Sequence, residues 1–200
     1  MKAFKVILSL LLFCMKAQAQ TSAPGTYYFS STRYSECIEL AADGSFIYHQ
    51  NDEFVKTEVR GNWQIRKDSV LVLDSRPQRT KLAVYESHKR GAHMTFRVRY
   101  SDNNSLVYNI YLINVQGDTV RYASQFDKTV LRGKIVSFFI RDTKGLQSPL
   151  YRIQSTRTNF FDIRFEQHRV FESEEWKFDG RTIIPRGLDN AFVHYSLVKK

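Results

Sequence analysis

Between residues 38 and 74, apolar and polar positions alternate in short runs broken by glycine, aspartate and asparagine. Ile38, Leu40 and Ala42 alternate with Glu39 and Ala41, and Phe46 and Tyr48 alternate with Ile47 and His49. A period of two sends successive side chains to opposite faces, so each run predicts a β-strand. Asp43-Gly44 lies between the first two runs and predicts a tight hairpin. A type I′ turn, with positive φ at both central residues, is the expected form. Trp63 and Ile65 then alternate with Gln64 and Arg66, Lys67-Asp68 turns the chain, and Val70 to Leu73 follow. Gly61, just ahead of Trp63, predicts a bulge or a close approach of two backbones.

The same pattern recurs to the end of the sequence. Pro77 lacks an N–H and breaks it in residues 75–79, which places a first boundary there. Strand-like runs follow at 81–85, 94–98, 106–115, 119–126, 134–140, 150–154, 159–165 and 191–198. Asp179-Gly180 predicts a second hairpin, from Trp176-Lys177-Phe178 into Thr182-Ile183-Ile184. No run after residue 19 has helical period. Many short strands with turn signals between them predict an all-β chain. The expected architecture is an antiparallel meander or half-barrel over 24–75, a bridging β region over 76–105, and a sandwich-like region over 106–200. The last region forms either one domain with the first or a second domain.

The first 19 residues change the picture of where the protein works. Lys2 and Lys5 precede the apolar run 6–13, and Ala17-Gln18-Ala19 follows. This is the form of a cleaved secretory signal peptide, and the run is too short to span a bilayer. The expectation is an exported protein, periplasmic or extracellular, with no transmembrane segment in the mature chain. A lipid anchor at Cys14 is disfavoured by the bulky Phe13 before it. Cys37 then remains as a single thiol without an internal disulfide partner, so the fold rests on its core. The net charge of +10 falls to +7 once the three signal lysines are removed. An exported chain with that balance suits an anionic envelope surface rather than nucleic acid.

Gly25-Thr26-Tyr27, Ile38-Glu39-Leu40, Asp43-Gly44-Ser45-Phe46, Gly61-Asn62-Trp63 and the run 68–73 together resemble the meander of small lipocalin-like secreted bacterial proteins. The resemblance implies an up-and-down sheet that curls towards a barrel. From Leu106 onward, the order of strands and turns is similar to small sandwich modules found beside carboxypeptidases and surface transporters.

Candidate chemistry is sparse. His49, His88, His93, His168 and His194 show no metal-ligand spacing, and Lys89-Arg90 beside two of them opposes a cation. No nucleophile motif or phosphate loop occurs, and no cofactor is expected. Glu172, Glu174 and Glu175 read as a solvated acidic loop ahead of a hairpin. Tyr28, Phe46, Tyr48 and Trp63 are the candidate ligand-lining residues of a sheet interior, where a small barrel holds one apolar molecule. Asp43, Gly44, Gly61, Asp179 and Gly180 are the expected structural turn positions. Arg76, Arg79, Lys81, Lys89 and Arg90 are candidates for facing an anionic surface. Three functions fit: a non-catalytic envelope binding or structural accessory, a carrier of a small apolar ligand, and a hydrolase with a site not visible in sequence.

Overall fold

The computed structural model describes residues 23–53, 56–66 and 69–200. The expected signal peptide, Cys14 and the Lys67-Asp68 turn lie outside the described residues. The described residues form sixteen strands and no helix. Five come first: β1 (Gly25–Ser30), β2 (Tyr34–Leu40), β3 (Ser45–Asp52), β4 (Lys56–Arg66) and β5 (Val70–Ser75). Eight follow: β6 (Leu82–Ser87), β7 (Met94–Tyr100), β8 (Val107–Asn114), β9 (Thr119–Phe126), β10 (Lys128–Leu131), β11 (Ile135–Asp142), β12 (Tyr151–Arg152) and β13 (Phe160–Phe165). The last three are β14 (Glu174–Phe178), β15 (Thr182–Ile184) and β16 (Leu197–Lys199).

β1 to β5 and β14 to β16 close into an eight-stranded antiparallel barrel. Neighbours in the barrel are neighbours in sequence, except that β5 pairs with β14 and β16 pairs with β1. The barrel is therefore an up-and-down meander with the whole of β6 to β13 inserted between its fifth and sixth strands. Alternation sets its interior in layers across β2, β3 and β4. Leu40, Phe46 and Gly61 are paired in one layer, and Ile38, Tyr48 and Val59 in the next. Glu36, Gln50 and Thr57 make a third layer, which is polar. Tyr27, Leu71, Leu73, Trp176, Ile183 and Leu197 join the apolar layers from the other strands. An eight-stranded barrel is just wide enough for such side chains to fill it.

The inserted segment forms two four-stranded sheets, ordered β10-β7-β13-β6 and β12-β11-β8-β9. β13 runs antiparallel to β6 but parallel to β7. Both sheets contribute to one core, with Phe96, Phe161 and Ile163 from one and Tyr108, Ile110 and Phe138 from the other. Phe96 stacks on Phe161 at 4.7 Å and meets Phe138 edge-on at 5.2 Å. Burying each of these rings stabilises by about 2–3 kcal/mol.

Several expectations are corrected here. The boundary near Leu106 is absent from the topology. β6 and β7, in the expected bridge, are strands of the sandwich, because both pair with β13. The sandwich-like region does not run to residue 200, because β14 to β16 return to the barrel. The first hairpin is not a type I′ turn, since positive φ occurs at Gly44 but not at Asp43. Gly44 N–H bonds to Ala41 O at 3.1 Å and Ala41 N–H to Ser45 O at 2.9 Å, a type I turn followed by a left-handed residue. Asp43 serves as an acceptor instead, taking the Ser45 N–H at 2.9 Å. Asp179 does the same work in the second hairpin, accepting from the N–H groups of Arg181 and Thr182 ahead of β15.

Candidate ligand cleft

The polar layer of the barrel lies at one end, and that end opens on a cleft to which Gln50 and Thr57 contribute. Residues 166–173 lead from β13 into the barrel and plug it. Phe171 is fully buried against Tyr48 at 5.2 Å and Trp176 at 5.3 Å. Its backbone is fixed to the end of β5 by two hydrogen bonds, Phe171 N–H to Ser75 Oγ and Ser75 N–H to Phe171 O.

Arg169, two residues earlier, packs against the same rings, its guanidinium 5.0 Å from the centre of Phe171 and 5.8 Å from that of Tyr48. Its guanidinium donates to Glu174 Oε1 at 2.8 Å and to Arg186 O at 2.7 Å. Glu174 also accepts from Trp176 Nε1 and from Lys81 Nζ, at 2.9 and 2.7 Å. Burial is the largest single influence on Arg169 and opposes its charge, but Glu174, Tyr48, Glu36 and Tyr34 together outweigh it and the pKa is raised. Arg169 Nε is buried and has no hydrogen-bond partner.

Behind Arg169 lies a carboxylate held by tyrosines. Glu36 is 2 % exposed. Its oxygens accept from Tyr34 OH at 3.0 Å, Tyr48 OH at 2.9 Å and Tyr195 OH at 2.5 Å. Burial first, and the adjoining Glu36 carboxylate with it, raises the pKa of Tyr34, Tyr48 and Tyr195, so all three stay protonated as donors.

The cleft has a volume of about 590 Å³. The barrel supplies Gln50, Thr57 and Val59, the plug supplies His168 and Arg169, and the sandwich supplies Asp142, Lys144 and Leu146. Six cations line it (Lys56, Arg60, Arg76, Arg79, Lys144 and Arg169) against three carboxylates, Asp52, Glu58 and Asp142. Glu58 is already engaged by Arg60 at 2.7 Å. Among the described residues, Lys56, Arg76 and Lys144 have no ion pair within 4.0 Å. Asp142 is 2 % exposed; its Oδ1 accepts from Lys144 and Leu146 N–H, while its Oδ2 has no partner. Burial pushes its pKa up.

No family model, curated protein or solved structure matches this chain. The chemistry has to be read from its own side chains.

The candidate residues separate. Phe46 and Tyr48 are buried in the barrel, and Trp63 packs partly buried against the same core with its Nε1 on Ala41 O. Tyr28 is on the outer face, because its neighbour Tyr27 takes the inward position; Lys200 Nζ lies 4.5 Å from its ring. Of the basic candidates, Arg76 and Arg79 line the cleft. Lys81 is spent on Glu174, and Lys89 and Arg90 lie in an exposed loop of the sandwich. Glu174 is not in a solvated loop: it begins β14 and is 7 % exposed, while Glu172 and Glu175 on either side are exposed. Sequence reasoning missed Glu36, Glu174 and Arg169. The signal for two of them was present: Glu36 shares the phase of Ile38 and Leu40, and Glu174 that of Trp176 and Phe178. Nothing local marks Arg169. Among the described residues, no three His, Cys, Asp or Glu side chains are placed to hold a metal ion, and no helix is long and apolar enough to cross a membrane.

Proposed function

We propose that the protein is an exported, non-catalytic binding protein of the cell envelope, with lipocalin-like barrel topology, that takes a small anionic ligand in the cleft between barrel and sandwich. The observation that carries this reading is the lining of the cleft, which has twice as many cations as carboxylates, the buried Arg169 among them. The uncommitted Lys56, Arg76 and Lys144 add attraction around the rim. The first five strands, in the meander order with the Asp43-Gly44 and Gly61-Asn62-Trp63 signals, support the lipocalin-like comparison.

An apolar cargo inside the barrel is the weaker reading. Phe46, Tyr48, Phe171 and Trp176 are buried there in mutual edge-on and tilted contacts, and the polar end is occupied by Glu36 and its tyrosines. Isothermal titration with citrate, inorganic phosphate and the neutral dye N-phenyl-1-naphthylamine tests the choice. Stoichiometric binding of an anion, weakened by the paired change Arg76→Ala and Lys144→Ala, is the expected result. Binding of the dye alone, insensitive to those changes, would overturn it in favour of the apolar carrier.

A further inference from the structure

The opposite end of the sandwich carries a second concentration of charge. β11 runs from Ile135 at that end to Asp142 at the cleft, a length of about 25 Å for eight residues. The loop between β6 and β7, the link from β10 to β11, and the segment before β13 meet there. Their contact is explicit: Arg132 Nε bonds His93 Nε2 at 3.0 Å, His88 Nδ1 is 2.8 Å from Arg157 O, and Asn159 bonds the backbone of Lys89 and Gly91. Lys89, Arg90, Arg132, Lys134 and Arg157 are all exposed on this tip. None of the five has an ion pair within 4.0 Å among the described residues. Two nearby carboxylates do not neutralise them. Glu86 is turned inward, accepting from Tyr151 OH, Thr158 Oγ1 and the N–H groups of Gln154 and Ser155. Asp118 sits in the β8–β9 turn and accepts from Asn114.

Beside these cations the tip exposes aliphatic side chains. Val115, Val120 and Val136 are 59 %, 47 % and 42 % exposed. Val115 and Val120 share one shallow surface with Arg132 and Lys134. Cations interleaved with exposed valines match a surface that is anionic outside and apolar just beneath. A soluble acidic glycan would use the cations but gain nothing from the valines.

We infer that this tip is a docking surface for an anionic lipid membrane, which it meets through Lys89, Arg90, Arg132, Lys134 and Arg157 with the valines seated among the headgroups. Docked in this way, the protein holds the cleft about 25 Å from the lipid.

Co-sedimentation with vesicles tests the inference on the purified protein. Vesicles of phosphatidylglycerol and phosphatidylethanolamine should retain it, while phosphatidylcholine vesicles leave it in solution. Raising salt from ~0.15 M to ~1 M should release it. The double change Lys89→Glu and Arg90→Glu, in an exposed loop, should weaken retention at least about tenfold, and Val136→Asp should weaken it further. Arg76→Glu and Lys144→Glu, in the cleft, should leave retention unchanged; they probe the ligand reading separately. Three results would overturn the inference: equal retention by both vesicle types, equal loss from cleft and tip variants, or capture by immobilised heparin with no retention on vesicles.

Discussion

Two glycines of the first barrel hairpins are expected to fail for different reasons and by different amounts. A Cβ added at Gly61 would lie 2.0 Å from Asp74 O and 2.7 Å from the ring of Phe46. The first contact is with backbone in the neighbouring strand, which cannot rotate away. To reach an ordinary separation, β4 and β5 must part by more than 1 Å, roughly, and a ladder hydrogen bond does not survive that. Losing about two such bonds costs about 1 kcal/mol each, and overpacking Phe46 adds about 1–3 kcal/mol. Gly61→Ala is therefore expected to cost about 3–5 kcal/mol. At Gly44, φ is +85° and the nearest atom to an added Cβ is 3.7 Å away, so Gly44→Ala meets only the left-handed backbone penalty of about 1 kcal/mol. Urea unfolding of the two variants beside the parent measures both. The midpoint should fall several-fold further for Gly61→Ala, with the slope unchanged. Equal losses, or a larger loss at Gly44, would refute the close approach of β4 to Asp74.

Two further outcomes follow from the buried carboxylates. Glu36→Leu leaves the Tyr34 hydroxyl without an acceptor, while Tyr48 keeps Gln50 Oε1 at 3.1 Å and Tyr195 keeps Tyr34 OH at 2.8 Å, and should cost about 1–3 kcal/mol in urea unfolding. Asp142 has its folded pKa raised by burial, so its contribution to stability is full below the unfolded value near ~4 and is lost as pH rises through the folded value. Asp142→Asn keeps the Oδ1 acceptor and removes the buried charge. It should gain on the parent as pH rises from ~4 to neutral, and a difference that stays flat across that range would exclude the assignment.

What the sequence made legible was local. Period-two runs and Asp43-Gly44 give strands and hairpins because both are set by neighbouring residues, and the all-β class follows from them. The pairing of β5 with β14, across the entire sandwich, has no local signature. Nor does the parallel pairing of β13 with β7: NFFDIRF alternates alike whichever neighbour it finds. The cleft was legible only in fragments. Glu36 and Glu174 stand in the inward phase of their strands, but an acid there reads as surface until its partners are known. The partner of Glu36, Tyr195, comes from the far end of the chain, and the partner of Glu174, Arg169, is only five residues away but lies in a segment with no regular strand.

The insertion also bears on the order of assembly as the chain emerges N-terminus first into the compartment where it folds. β6 to β13 form a continuous stretch whose pairings all lie within it, so the sandwich can complete itself while its own residues emerge. The barrel cannot: Tyr27 waits for Lys199, and the free edges of β1 and β5 stay open until β14 to β16 arrive. During that interval the chain carries a finished domain flanked by a half-made sheet with two unpaired borders. A holding chaperone would therefore bind along β1 and β5, and crowding at that stage exposes the nascent protein to strand exchange between neighbouring copies.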